Sequence, residues 1–206
     1  LLSSIPALAS SSAALFGGFE SKPEKGQISF SNPGYEISHI LKDGASFIKP
    51  EMEGAGSKSE PGQPDLPTMS TYYAVEPGKI FTINASIKES EVIENVEVVP
   101  FETWNSQPTG VIEKGVTYQQ SSSFPANIAT VSAPMVFRDI VMVQVSVTPF
   151  QYNPVSKTLT VIQDVDLELV ESGETEVPHI PQKKSREFEK LYKSLVVNYP
   201  STVREG

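Results

Sequence analysis

Residues 134–170 read PMVFRDIVMVQVSVTPFQYNPVSKTLTVIQDVDLELV. Val141, Val143, Val145 and Val147 alternate with Met142, Gln144, Ser146 and Thr148. Leu159, Val161, Val165, Leu167 and Leu169 alternate with Thr158, Thr160, Asp164, Asp166 and Glu168. A period of two over this length predicts two long strands, each with one buried and one wet face. Residues 150–157 join them, and Asn153-Pro154 supplies the turn, because Pro fixes φ and Asn tolerates turn conformations. The expected fold class is all-β: an antiparallel β-sandwich, jelly-roll-like, with one short C-terminal helix.

The rest of the chain supports this class. The 17 prolines and 13 glycines in 206 residues punctuate many short segments, which favours strands over long helices. Met69 to Val75 reads as a strand approached through Pro64 and Pro67, and Ile80 to Ile87 as another after the turn Glu76-Pro77-Gly78. Val92 to Val99 reads as a further strand. Residues 26–30 and 35–40 alternate around Ser31-Asn32-Pro33-Gly34 and predict an opening hairpin. Residues 51–63 and 100–110 read as loop, and 112–123 as loop with room for one edge strand. The one helix lies near the end. Ser185 is its expected N-cap, Glu187 lies in its first turn, and Phe188, Leu191, Tyr192 and Leu195 recur at helical spacing.

Residues 1–10, LLSSIPALAS, are apolar and uncharged, with Ala7-Leu8-Ala9 as a small-x-small cleavage signal. They predict export. Three parts are expected: a signal remnant and leader over 1–25, a sandwich over 26–171, and a linker, helix and junction over 172–206. The leader is too short and too broken by serine to cross a bilayer, and no other segment qualifies, so no membrane span is expected.

A net charge of −9 repels phosphate backbones and argues against a nucleic-acid partner. The absence of cysteine excludes a disulfide, a thiolate metal site or a cysteine nucleophile within the chain. His39 and His179 lack ligand-spaced companions, so no metal is expected. No G-x-S-x-G turn supports a serine nucleophile. Asp164, Asp166 and Glu168 share a strand face, but they alternate with core residues as a solvated face does. Gly54-Ala55-Gly56 sits in a charged loop rather than before a helix, so it is no phosphate loop. Tyr72 and Tyr73 point to opposite faces of one strand, which puts one of them in the core. Trp104, in an irregular loop, is a recognition candidate. No catalytic residue and no cofactor are expected. The chain reads as a module that binds, covers or scaffolds, with an adhesion or carbohydrate-binding module as the alternative.

Several pieces together resemble the N-terminal propeptide of gingipain-type cysteine peptidases. These are residues 124–131 (FPANIATV), Phe137-Arg138-Asp139, residues 150–159 (FQYNPVSKTL), the Gly62 to Leu66-Pro67 approach, residues 188–195 (FEKLYKSL) and Asn198-Tyr199. The resemblance runs from about Ile28 to Arg204. It implies a sandwich that helps a downstream cysteine-peptidase catalytic domain of the same precursor to fold and blocks its cleft until export by the type IX route. The implied location is the periplasm in transit, then the cell surface or medium. The resemblance also implies an inhibitory loop after Val99-Pro100, in this chain Trp104-Asn105-Ser106-Gln107. In the family a basic side chain from that loop enters the specificity pocket, yet residues 101–112 hold no Arg or Lys and Lys114 is the nearest base. The basic-anchor mechanism is therefore not carried over. Arg204 is the expected processing site, with Lys183-Lys184 and Arg186 as alternative cuts.

Overall fold

The odd-numbered valines of residues 141–147 and the apolar series from Leu159 to Leu169 are buried as their alternation predicts. The computed structural model describes residues 16–42, 44–102, 113–177, 179–180 and 186–199. The strands are β1 (Phe19–Ser21), β2 (Gln27–Ser31), β3 (Glu36–Lys42), β4 (Ala45–Glu51), β5 (Gly56–Ser57), β6 (Pro67–Ala74), β7 (Lys79–Ile93), β8 (Ala129–Val131), β9 (Met135–Phe137), β10 (Ile140–Val147), β11 (Phe150–Asn153) and β12 (Thr158–Glu174). Among the described residues one α-helix, α1, spans Arg186–Leu195.

Every strand pairing is antiparallel, and the strands form two five-stranded sheets and one two-stranded hairpin. In the first sheet β12 pairs with β7 along one edge and with β11 and then β2 along the other; β1 lies beyond β2. In the second sheet β10 pairs with β6 on one side and with β8 and β9 on the other. Phe30, Val165 and Leu167 of the first sheet and Val143, Val145 and Tyr73 of the second join one buried cluster, so the architecture is an antiparallel sandwich. The Tyr73 hydroxyl crosses the layer to accept the Gly26 N–H at 2.8 Å.

The sandwich is wired differently from the sequence expectation in four places. First, β10 and β12 are not hairpin partners. Pro149 carries the chain from one sheet to the other, and the hairpin on Asn153-Pro154 joins β11 to β12, with the Asn153 carboxamide accepting the Val155 and Ser156 N–H groups at 3.1 Å each. Nor is the outer face of β10 wet. Met142 is 3% and Ser146 2% exposed, and Ser146 is bonded to Ser70 at 2.9 Å and capped by Lys58 at 2.9 Å. Second, β2 pairs with β1 and β12, while β3 pairs with β4, so the expected opening hairpin does not form. Third, β7 runs unbroken through Ser90 and Glu91 to Ile93 and replaces the two strands read from 80–87 and 92–99. Fourth, Phe19–Ser21, read as leader, is a strand whose Phe19 is fully buried.

Candidate loop platform

The residues expected to carry inhibition, Trp104, Asn105, Ser106 and Gln107, lie outside the described residues, as does Arg204. The structure shows what holds the two ends of that loop. The approach starts after β7, where buried Tyr152 and half-buried Tyr118 fix the strap. The Tyr118 hydroxyl donates to the Val98 carbonyl at 2.7 Å and the Tyr152 hydroxyl to the Val96 carbonyl at 3.3 Å. Burial pushes the Tyr152 phenol up to about 12 and Tyr118 higher still, so both remain neutral donors. The strap then bonds on both sides. Ile48 donates to Glu97 at 2.7 Å, Val99 donates back to Ile48 at 2.9 Å, and Asp65 donates to Val99 at 2.9 Å.

Gly62 closes the base of the loop. Its N–H donates to the Phe101 carbonyl at 3.1 Å, ahead of the loop, and its carbonyl accepts the Gly115 N–H at 2.8 Å, behind it. Phe101 N–H returns a bond to Gln63 at 2.7 Å. Gly62 has φ +82°, and a Cβ there would stand 2.9 Å from the Gly115 nitrogen, so a side chain is excluded by strain and by space together. This gives a physical role to the Gly62 of the Gly-Gln-Pro approach, which the sequence reading used only as a matching motif.

Ion pairs brace the same ends. Lys42, at the tip of the β3–β4 hairpin, reaches Glu102 at 2.6 Å. Lys114 pairs with Glu97 and stands over the rings of Phe47 (5.4 Å) and Tyr118 (5.7 Å). Lys157 meets the other Glu97 oxygen at 3.3 Å. Burial by itself would raise the Glu97 carboxyl, but Lys114 and then Lys157 outweigh it and hold the group below its ordinary range. A depressed carboxylate stabilises the fold above its unfolded value and loses that contribution as pH falls through the folded value. Glu97→Gln is therefore expected to destabilise the domain by about 1 kcal/mol at neutral pH. Denaturant titrations across pH should show the gap closing as pH falls below the ordinary carboxylate range and Glu97 protonates. A gap that persists unchanged in acid would show that Glu97 acts by packing alone.

The other candidates separate cleanly. Asp166 is bonded to Lys22 at 2.5 Å and to Lys88 at 3.2 Å, and Lys22, followed by Lys88, draws its carboxyl below the usual range. Asp164 accepts from Ser31 at 2.6 Å and Glu168 from Gln27 at 3.1 Å, so this strand face is a solvated network. His39 lies exposed on β3, and His179 is exposed beyond β12. No group of three or more His, Asp or Glu able to hold a metal occurs among the described residues. Tyr73 is core, whereas Tyr72 is half-buried on the opposite face. Among the described residues no helix is long and apolar enough to cross a membrane.

The segments on either side of residues 103–112 are thus clipped together at a single glycine on an antiparallel sandwich. The chain belongs to the Propeptide_C25 family, which it matches over residues 20–205. It is 30% identical over 158 residues to gingipain R2 of Porphyromonas gingivalis, and 33% identical over 149 residues to gingipain R1 of the same organism. Those matches cover 70% and 68% of this chain but only 20% and 15% of the relatives, so the chain spans a small part of their length. Among solved structures it is similar to a complex of the pro- and mature domains of RgpB of P. gingivalis, with TM-score 0.74 and 24% identity over 90% of this chain and 98% of that one. A structure bearing on the zymogenic latency of gingipain K of P. gingivalis matches with TM-score 0.55 and 17% identity over 73% of this chain and 90% of that one.

Proposed function

We propose that this domain keeps a gingipain-like cysteine peptidase latent, covering the active-site cleft of a catalytic domain in the same precursor and assisting its folding. The observation that carries this reading is the clipped base of loop 103–112. Gly62 joins both ends, and Lys42, Lys114 and Lys157 brace them. A loop whose ends are fixed in this way has less conformational entropy to lose on entering a cleft than an open segment of the same length. Tethering in one chain would add an effective concentration on the order of mM, so modest intrinsic affinity suffices for latency.

The same reading assigns Trp104, Asn105, Ser106 and Gln107 to the cleft-facing loop and Arg204 to the processing site. Without Arg or Lys between 101 and 112, either the partner peptidase has another specificity or inhibition works by steric cover, in both cases without a basic anchor. It also places the domain in the periplasm during type IX export and then outside the cell, in keeping with the apolar leader. Truncation of residues 1–10 followed by cell fractionation checks this, and undiminished export would count against it.

The main test is inhibition in trans. Purified 1–206 added to the mature catalytic domain should suppress peptide hydrolysis in a dose-dependent way. Unchanged activity at high micromolar domain would sink the reading.

A further inference from the structure

Two stretches distant in sequence, Phe137-Arg138-Asp139 and the segment from Phe188 to Tyr199, meet at one place. The β9–β10 hairpin closes on Phe137 and Ile140 and leaves Arg138 and Asp139 as its two turn residues, Arg138 at φ 57°. Both turn residues are used by the C-terminal segment. The Arg138 guanidinium lies 3.6 Å from the centre of the Phe188 ring, within cation–π range. The Tyr192 hydroxyl donates to the Asp139 carboxylate. Phe137 stands edge-on to Tyr192 at 6.2 Å, and the tilted Tyr199 ring lies 5.2 Å from Tyr192.

Beyond α1 the chain continues along the outer edge of β6. Val196 bridges Tyr72 in parallel, and the Val197 N–H donates to the Tyr72 carbonyl at 2.8 Å. Asn198 then uses its side chain as a backbone substitute. Its carboxamide oxygen accepts the Ala74 N–H at 2.7 Å, and its nitrogen donates to the Ala74 carbonyl at 2.9 Å. Tyr192 is 2% and Val196 1% exposed, so the contact is dry at its centre. A ten-residue helix does not persist alone in water, so the contact is what keeps α1 folded. The covalent connection, by contrast, is thinly anchored. After Thr175 donates to Gly78 at 3.0 Å, the chain runs out through Glu176 and Val177, the latter 71% exposed.

We propose that the Arg138-Asp139 turn and the outer edge of β6 form a peptide-binding site whose ligand is the chain's own segment 186–199, and that this site holds the segment without the covalent linker. A cut between β12 and α1 then leaves the sandwich joined to whatever follows Tyr199. Only a cut beyond Tyr199 parts them. Of the basic candidates, Lys183-Lys184 is a silent site and Arg204 a separating one. That last consequence rests on the propeptide reading; the retention of the segment does not.

The test uses the full chain with a site-specific endopeptidase sequence inserted between His179 and Ile180. After complete cutting, native mass spectrometry and size-exclusion at tens of micromolar should show the 180–206 fragment still bound. Tyr192→Ala should weaken retention roughly a hundredfold, since a buried aromatic is removed. Asn198→Ala should weaken it about tenfold, since two hydrogen bonds are lost. A labelled 186–199 peptide added to the cut, fragment-free body gives the same comparison without any variant of the body. Release of the wild-type fragment, or retention indifferent to Tyr192→Ala, overturns the proposal. The trans-inhibition assay on the uncut chain reports separately on the propeptide reading.

Discussion

Phe19→Ala is expected to destabilise the domain by about 3–5 kcal/mol, the cost of truncating a fully enclosed aromatic. Phe19 is 0% exposed, pairs with Phe30 across β1 and β2, and packs on its ring at a centroid distance of 4.9 Å. Phe30 in turn faces Val165 of β12, so the void would open beside the central strand of the first sheet. The backbone around it leaves no easy collapse. Ser31 donates to Gly18 at 3.0 Å, and a Cβ on Gly18 would stand 2.2 Å from the Ser31 carbonyl oxygen. Total stabilities of single domains run to about 5–15 kcal/mol, so one truncation should remove a large share. Thermal unfolding should show it as a fall in Tm of about 10 °C. Val92→Ala on β7, at 57% exposure, is the matched control and should stay within about 0.5 kcal/mol. Equal small effects from both would mean that β1 is a dispensable part of the leader and not a strand of the sandwich.

The contrast between Phe19 and Val143 shows what the sequence could and could not disclose. Strands that pass through the core for seven or more residues write a period of two, so β6, β10 and β12 were legible. A three-residue strand such as β1 has no period to read. The polar run Lys88-Glu-Ser-Glu looked like a break in β7, but β7 is an edge strand with one ladder only, and its solvated residues need no apolar neighbour. Alternation reports burial and is silent about partner, so the sequence does not disclose that β10 and β12 lie in different sheets. Pro149 sends two adjacent strands into different sheets, and nothing local says so. The helix stripe failed in one position for a similar reason. Leu191 is 40% exposed, while Val196, beyond the helix, is buried, because the receiving surface is a turn and a strand edge rather than a broad face. At the loop platform, Gly62 is legible in the sequence only as part of the approach to β6. Its closure onto Gly115, and the pairing of Lys42 with Glu102, join residues more than fifty positions apart and become visible only in the fold.

Replacing residues 103–112 with a short Gly-Ser bridge is expected to weaken inhibition in trans by more than about a hundredfold while leaving the fold intact, if the proposed function is right. The bridge removes the cleft-facing residues and keeps Glu102, Lys114 and the Gly62 clip, so unfolding transitions should barely move. Gly62→Ala makes the complementary change. It keeps every loop residue and spoils the base, since a side chain at φ +82° is strained and meets the Gly115 backbone. Inhibition should fall by about tenfold or more, because a loosened loop pays its ordering cost on binding. The informative third variant is Gln107→Arg. An arginine-specific pocket that holds a carboxylate gains a charge-assisted bidentate contact, worth about 1.5–3 kcal/mol, or roughly ten- to a hundredfold in inhibition of such a peptidase. The natural partner, if its latency rests on steric cover, should be inhibited no better. A Gly-Ser bridge that inhibits as well as the wild-type loop would move the inhibitory surface elsewhere on the sandwich. Tighter inhibition of the natural partner by Gln107→Arg would restore the basic anchor that this loop lacks.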